Sequence, residues 1–295
     1  MTIDYEHLRR LWQKKIKALS SGDLLPAQLL TLVTETVSRQ MKALETIAPG
    51  DPDPKTIESP ERNLQGVPLC PREAFGFDPK GSEALFRELL GMLKEREGEL
   101  ATSASTLNEM LNSGEIVIDE AFIKFVQADD SWLASYGERT PQAPRLLNFL
   151  VQSALTPGLM AFAAKIALHY DSLKTWQHGH CPICGSPPLI GSLRQIEGHR
   201  FLTCSFCLTD YRAKRLQCPF CREENTARLE YFEAKEVPGF RVEVCRSCMR
   251  YIKTADFRNF DKVSVPVLDD LESLALDILA RENGFQRPTL SAWGF

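Results

Sequence analysis

The chain has 295 residues, 43% of them hydrophobic and 25% charged, with 39 Asp/Glu against 35 Lys/Arg and a formal net charge of −4. This is the composition of an ordinary soluble globular protein long enough for two or three compact units, and its total charge does not support a basic nucleic-acid surface. Met1 to Leu11 carries Asp4, Glu6 and two arginines without an apolar run, so no secretory signal is expected. Nor does any window approach the roughly eighteen apolar residues of a membrane span.

The first 175 residues read as helices. A helix is predicted over 26–47, where Leu29, Val33, Val37, Met41, Leu44 and Ile47 recur at three- and four-residue steps and Pro26 suits the first turn. Further stripes follow at Leu85, Phe86, Leu89, Leu90 and Leu93, at Phe122, Ile123 and Val126, and at Leu146, Leu147, Leu150, Val151 and Leu155. Such stripes need only a partner helix, so they mark the core of a helical domain over 1–175. Residues 49–80 are rich in proline and charge and are expected to be an irregular surface segment. Its most apolar part, Gly66 to Cys70, is expected to dock on the helices. Cys70 has no partner at ligand spacing and reads as a buried space-filling thiol.

Eight of the nine cysteines form four Cys-x-x-Cys pairs: Cys181/Cys184, Cys204/Cys207, Cys218/Cys221 and Cys245/Cys248. Two intervening residues let a tight turn aim both thiolates at one point, and a second such turn some twenty residues later completes a tetrahedral set. A disulfide framework would need an oxidising compartment, and a thioredoxin-like dithiol occurs once, in a βαβ unit. A cytoplasmic, reduced protein with two metal ions, iron or zinc, fits better.

The pairs recur at offsets of 37 and 41 residues, as if one ribbon were used twice. Hairpins are predicted between them, Leu189–Gln195 turning into Arg200–Thr203 and Leu229–Glu236 turning into Phe240–Val244. They favour sequential pairing, the first four cysteines in a module over 176–215 and the last four in a module over 216–262. An interleaved pairing uses the same ligands. With four cysteines per site, His178, His180 and His199 have no vacancy to fill, and closed sites leave no position for water. No phosphate loop, dinucleotide fingerprint or nucleophile elbow is present, and the expectation is a protein that is not an enzyme.

Residues 176–262 hold 14 Lys/Arg against 10 Asp/Glu, and two four-thiolate sites at −2 each bring that stretch to about zero. Tyr211, Arg212, Lys214 and Arg215 keep a nucleic-acid-binding zinc ribbon as the alternative function. In 263–295, a single helix is predicted from Leu268 to Asn283. Asp269 and Glu272 would form a capping box, Gly284 a left-handed stop, and Leu271, Leu274, Ala275 and Ile278 its buried stripe. The tail Trp293 to Phe295 is either packed on another subunit or loose. The fold class is therefore α+β, a helical domain followed by two tandem rubredoxin-like or zinc-ribbon modules and a C-terminal helix.

With those residues in view, the chain resembles the FdhE family of formate dehydrogenase accessory proteins. The resemblance lies in Cys-Pro-x-Cys-Gly-x-x-Pro at 181–188, Leu202-x-Cys204-Ser205-x-Cys207 and Arg215 before Cys218. It continues in Tyr251-Ile252-Lys253-Thr254 after Cys248, and in Pro266-x-x-Asp269-Asp270-Leu271. It covers about the last 120 residues closely and the helical part, with Leu69-Cys70-Pro71, more loosely. It implies a cytoplasmic, dimeric assembly factor that binds the catalytic subunit of a respiratory formate dehydrogenase, a molybdenum or tungsten enzyme, before twin-arginine export. It also implies iron on the eight paired cysteines and not on Cys70. In the family pattern Trp would stand at Tyr211 and Gly at Leu208, Arg222 and Met249. Only Gly185 keeps that glycine, so the second site is expected to be less rigid.

Overall fold

The computed structural model describes residues 4–22, 24–170 and 174–293. The expectation for the tail falls partly on Gly294 and Phe295, which lie outside the described residues, while Trp293 is buried within the protein. By compactness the chain divides into one unit of residues 32–52, 72–162 and 292–295 and another of 1–31, 53–71 and 163–291.

The first of these units is helical. It holds most of α2 (Ala27–Thr46), then α4 (Pro79–Lys94), α5 (Glu99–Asn112), α6 (Ile118–Val126), α7 (Asp130–Ser135) and most of α8 (Leu146–Ile166). Local signals start these helices. Asp78 accepts from the Gly81 amide at 3.0 Å with Pro79 fixing the first turn, and Asp129 accepts from the Trp132 amide at 3.1 Å. The predicted stripes form the core, with Val33, Val37, Phe86, Leu89, Phe122, Leu150 and Leu155 almost fully buried. Ile123 is the exception and faces solvent. The buried Gln40 amide donates to the Ser153 carbonyl at 2.9 Å, and the Arg72 guanidinium closes the end of α6 through the Phe125 and Val126 carbonyls.

Two sequence expectations fail here. Leu146–His169 is long and apolar enough by length and composition to cross a membrane, but 83% of its most apolar window is buried inside the protein. The expectation missed it because a core helix enclosed on every side is apolar all round. The proline-rich stretch is also not devoid of regular structure, since proline is suited to first turns. It contains the turns Pro54–Thr56 and Arg72–Ala74 and the short helix α3 (Pro60–Leu64), capped by Ser59.

The second unit is built on one six-stranded sheet. Its strands are β1 (Pro188–Arg194), β2 (His199–Cys204), β3 (Asp210–Ala213), β4 (Leu229–Glu233), β5 (Phe240–Cys245) and β6 (Arg250–Asp256). The order is β3-β2-β1-β6-β5-β4. The two predicted hairpins are β1–β2 and β4–β5, and a parallel β1–β6 pairing, absent from the sequence reading, joins them into one sheet. Gly191 sits at that seam opposite Thr254, where a Cβ would lie 2.7 Å from the threonine hydroxyl oxygen.

Instead of one C-terminal helix there are two, α9 (Pro266–Glu272) and α10 (Leu274–Glu282), broken at Ser273, whose hydroxyl donates to the Asp269 carbonyl at 2.7 Å. The break shifts the buried face. Leu268, Leu271, Leu276 and Ala280 are buried, whereas Ala275 and Ile278 are exposed. Leu276, Ala280 and Phe285 cover Val242, Val244 and Tyr251 of the sheet. Gly284 takes the expected left-handed conformation at φ +81°.

Asp269 does not cap a helix, because Pro266 starts α9 three residues earlier. Its carboxylate meets Lys15 of α1 (Tyr5–Ser20) at 2.6 Å, and Glu272 contacts the same ammonium. Beside this pair, Lys253 of β6 is wholly buried between Asp270 at 2.9 Å and Asp277 at 2.5 Å, and Arg287 contacts Asp270 at 2.6 Å. Burial pushes the Asp270 carboxyl up, but Lys253 and Arg287 outweigh it and hold the group below its usual range.

Replacing Lys253 with Met keeps the length of the side chain but leaves two buried carboxylates to Arg287 and, for Asp277, the Tyr251 hydroxyl. Unfolding free energy is expected to fall by about 3–5 kcal/mol, measured by chemical denaturation. A loss near zero would mean that the carboxylates do not depend on this cation.

Asp269 gives a pH dependence of known sign. Burial pushes its carboxyl from 3.8 up to about 6, against the pull of Lys15 and Ser264 and with Glu272 adding to the rise. The folded state therefore binds this proton more tightly, so the contribution is fullest at low pH and declines as pH rises from about 4 to about 6. Asp269→Asn should remove that part of the slope from the stability–pH profile. An unchanged profile would assign the slope to another group.

Candidate metal centres

Each cysteine pair sits on a turn whose following residue is left-handed: Gly185 at φ +79°, Leu208 at +56°, Arg222 at +61° and Met249 at +54°. The turns close in the same way, with the Gly185, Arg222 and Met249 amides donating at 2.9 Å to the carbonyls of Cys181, Cys218 and Cys245. Three non-glycine residues thus hold the conformation that glycine was expected to ease.

β2 and β5 each end on a cysteine, Cys204 and Cys245, and so bring the hairpins back to the turns that begin them. The result is two clusters, Cys181, Cys184, Cys204 and Cys207 in one and Cys218, Cys221, Cys245 and Cys248 in the other. In each, all four sulfurs lie within 4.8 Å of one another. This is the sequential grouping rather than the interleaved one. The Cys181–Cys207, Cys184–Cys204, Cys218–Cys248 and Cys221–Cys245 sulfur distances are 3.8, 3.4, 3.7 and 3.6 Å. A tetrahedral ion with metal–sulfur bonds of about 2.3 Å needs edges of about 3.8 Å. The residues therefore fit a four-thiolate metal ion, and tetrahedral sulfur suits zinc and iron alike.

Backbone amides point at the sulfurs. The Phe206 and Cys207 amides approach the Cys204 sulfur at 3.3 and 3.5 Å, favouring a thiolate there. Burial pushes the thiols of Cys181, Cys204 and Cys218 up when no ion compensates, a cost that a bound cation removes.

The histidines do not join either cluster. His180 Nε2 is 2.8 Å from the Gly66 carbonyl, His178 Nε2 is 3.3 Å from that of Leu64, and His199 Nδ1 is 3.0 Å from the Arg212 guanidinium. Burial holds the His180 ring below its ordinary value, with the Gly66 contact pulling the other way.

The first cluster has a cover that the sequence reading placed elsewhere. Gly66 to Cys70 docks on the first cysteine turn. The Leu69 amide donates to Pro182 and the Cys70 amide to Ile183, each at 2.9 Å, and the Asn63 side-chain amide donates to both Val67, at 2.8 Å, and Pro182, at 3.0 Å. Backbone pairing with a turn 113 residues away carries no periodic signal in sequence. Cys70 is fully buried, and burial, with Cys184 adding, pushes its thiol up to about 11.

The two clusters are tied together as well. Arg200 of β2, almost fully buried, donates to the Gln217 carbonyl and pairs with Glu243 of β5, both at 2.7 Å. Tyr211 is wholly buried and donates to the Gly179 carbonyl at 2.9 Å, so it is not available to stack on a base. Arg212 faces His199, Lys214 pairs with Glu224, and Arg215 donates to Gly198. Of the other surface arginines, Arg246 is held by Glu230 and Arg258 by Asp256.

A Cβ on Gly179 would lie 1.7 Å from the Pro219 carbonyl oxygen in the third cysteine turn. Gly179→Ala must displace that turn. It is expected to lower stability by about 1–3 kcal/mol or more and to weaken zinc binding at the second cluster, read by denaturation and competitive titration. Unaltered values in both would mean that this contact is not needed.

Comparison with known proteins follows the same division. Residues 180–215 match the model of the FdhE central domain, and residues 216–293 match that of the FdhE C-terminal domain. A "Protein FdhE homolog" of Aquifex aeolicus is 35% identical over 153 residues, which is 51% of this chain and about half, 53%, of that relative. One from Pseudomonas aeruginosa is 37% identical over 172 residues, 52% of this chain and 55% of the relative. One from Haemophilus influenzae is 27% identical over 315 residues, 98% of both chains. The crystal structure of the FdhE protein from Pseudomonas aeruginosa shares the fold, with a TM-score of 0.71 at 23% identity over 100% of this chain and 98% of that one. The likeness to FdhE proteins is carried by residues 180–293, where two FdhE domain models match in tandem and each carries one cysteine cluster.

Proposed function

We propose that this protein is a cytoplasmic assembly factor for formate dehydrogenase. It binds the catalytic subunit of a respiratory, molybdenum or tungsten enzyme before twin-arginine export and works as a homodimer. The observation that carries the reading is the tandem match of the FdhE central and C-terminal domains to the stretch that holds both cysteine clusters. The resemblance to formate dehydrogenase accessory proteins supplies formate dehydrogenase as the client.

In this reading the protein acts by binding and not by catalysis. Cys181, Cys184, Cys204 and Cys207 hold one ion, and Cys218, Cys221, Cys245 and Cys248 hold another, iron or zinc. Four thiolates per ion leave no coordination position for a substrate or water. The ions supply rigidity: each fixes two backbone turns to the end of a hairpin, and their binding energy becomes folding energy. The client then meets a preformed surface, which saves the cost of ordering it on binding. Arg250, exposed at the start of β6 beside the second cluster, is suited to a charge-assisted contact with a carboxylate of the client.

Anaerobic affinity capture from formate-grown cells, followed by mass spectrometry of the retained proteins at moderate salt, tests the reading. A formate dehydrogenase catalytic subunit is the expected catch, and its loss is expected for the Cys181→Ala, Cys184→Ala variant. Recovery of nucleic acid without any dehydrogenase would replace the assembly-factor reading with the zinc-ribbon one. Full capture by a folded variant lacking the first ion would remove that site from the binding surface.

A further inference from the structure

The two clusters have the same ligands and opposite surroundings. Cys181, Cys184, Cys204 and Cys207 are at most 2% exposed. In the second cluster Cys218 and Cys245 are buried, but Cys248 is half-buried and Cys221 is open to solvent.

The difference has a structural cause. The segment from Glu58 to Cys70 closes on itself through Glu58 and Leu69 and lies over the first cysteine turn, fixed there by Asn63, Leu69, Cys70 and His180. Pro68 packs so closely on Gly185 that a Cβ there would be 3.1 Å from its ring. Around the second cluster the corresponding residues are Arg222, Arg246, Ser247 and Met249, all exposed. A groove of about 210 Å³ between the 215–220 segment and strands β4 to β6 has Cys218 and Cys245 in its wall, though these residues are only 4% and 2% exposed. An incoming ligand therefore meets the second cluster first at Cys221 and Cys248. It reaches the first cluster only after the covering segment has lifted.

We infer that the two sites divide the work: the first holds its ion for the life of the fold, and the second exchanges its ion with ligands from solution. The inference rests on the proposal that both clusters bind metal. The exchange is a ligand substitution on a divalent ion. A bond from the ion to an incoming thiolate or chelator donor forms as the bond to the Cys221 sulfur breaks. The released thiolate takes a proton from water, and no electrons are transferred. Cys248, Cys218 and Cys245 follow in turn. Access decides the order, because a buried site exchanges only from an opened state whose free energy the closed cover sets.

The test loads the full chain with two equivalents of zinc under anaerobic conditions and then adds excess EDTA with N-ethylmaleimide. Native mass spectrometry counts the ions over time, and peptide mapping follows alkylation. One ion is expected to leave at least about tenfold faster than the other. Cys221 and Cys248 should be alkylated first, while Cys181, Cys184, Cys204, Cys207 and Cys70 stay unmodified as long as one ion remains. Asn63→Ala, which loosens the cover without touching a ligand, should speed loss of the slow ion and leave the fast one unchanged. Two ions leaving at one rate, alkylation starting in the first cluster, or no effect of Asn63→Ala would overturn the inference and leave the metal proposal standing. A chain that takes up no zinc would overturn both.

Discussion

Strands β1 and β6 come from different hairpins and run parallel over Gly191–Leu193 and Thr254–Asp256, and the placement of both cysteine clusters depends on that seam. Parallel neighbours need a long crossover, and here the crossover between Arg194 and Arg250 carries β2 to β5, Cys204 and Cys207 of the first cluster and the whole of the second. Without the seam the sheet would fall into two three-stranded halves, β3-β2-β1 and β6-β5-β4, the smallest size at which a sheet with one covered face is stable. With it they are halves of one sheet, and the Arg200–Glu243 pair reaches from β2 to β5 across it. Burial pushes the Glu243 carboxyl up, but Arg200 and Arg241 together hold it below its usual range. The seam permits no side chain at Gly191, because the Thr254 hydroxyl already fills the space.

The helical cover of this sheet is held by charges as well as by apolar contact. Lys253, Asp270 and Asp277 are buried and Arg287 is half-buried, with ion-pair distances of 2.5 to 2.9 Å around the lysine. Apolar side chains of equal volume would hold these elements about as firmly. What the charges add is selectivity. A helix pair shifted by one turn would strand each carboxylate without its cation, a penalty of several kcal/mol.

Local features of this fold were legible in the sequence and distant pairings were not. The cysteine turns could be read because two-residue spacing is a local property, and the hairpins because each strand is bounded by its own turn. The helix stripes could be read because three- and four-residue periodicity is also local, although Ile123 and Ile278 show that a stripe does not fix which edge is covered. By contrast, β1 meets β6 about sixty residues away. Asn63 meets Pro182 at a separation of 119 residues. Nothing local to Lys253 signals its partners, since Asp270 and Asp277 lie 17 and 24 residues further along the chain. The capping box at Asp269 and Glu272 matched a real local pattern, but Pro266 provided an earlier start and Lys15 a stronger use for both carboxylates.

The residues after the cysteine turns connect this local chemistry to the difference between the sites. A left-handed conformation costs a non-glycine residue about 1–2 kcal/mol, and Leu208, Arg222 and Met249 all adopt it. The first site has one such turn, since Gly185 relieves the other, and a covering segment that holds the relieved turn in place. In the second site both turns carry the cost and neither has a cover. Structural zinc binding is worth roughly 10–16 kcal/mol, enough to hold two such turns with a wide margin. With an ion in each cluster, the folded geometry of the second site would be contingent on it to a degree that the first would not be. Gain or loss of that ion would reshape the groove that Cys218 and Cys245 line.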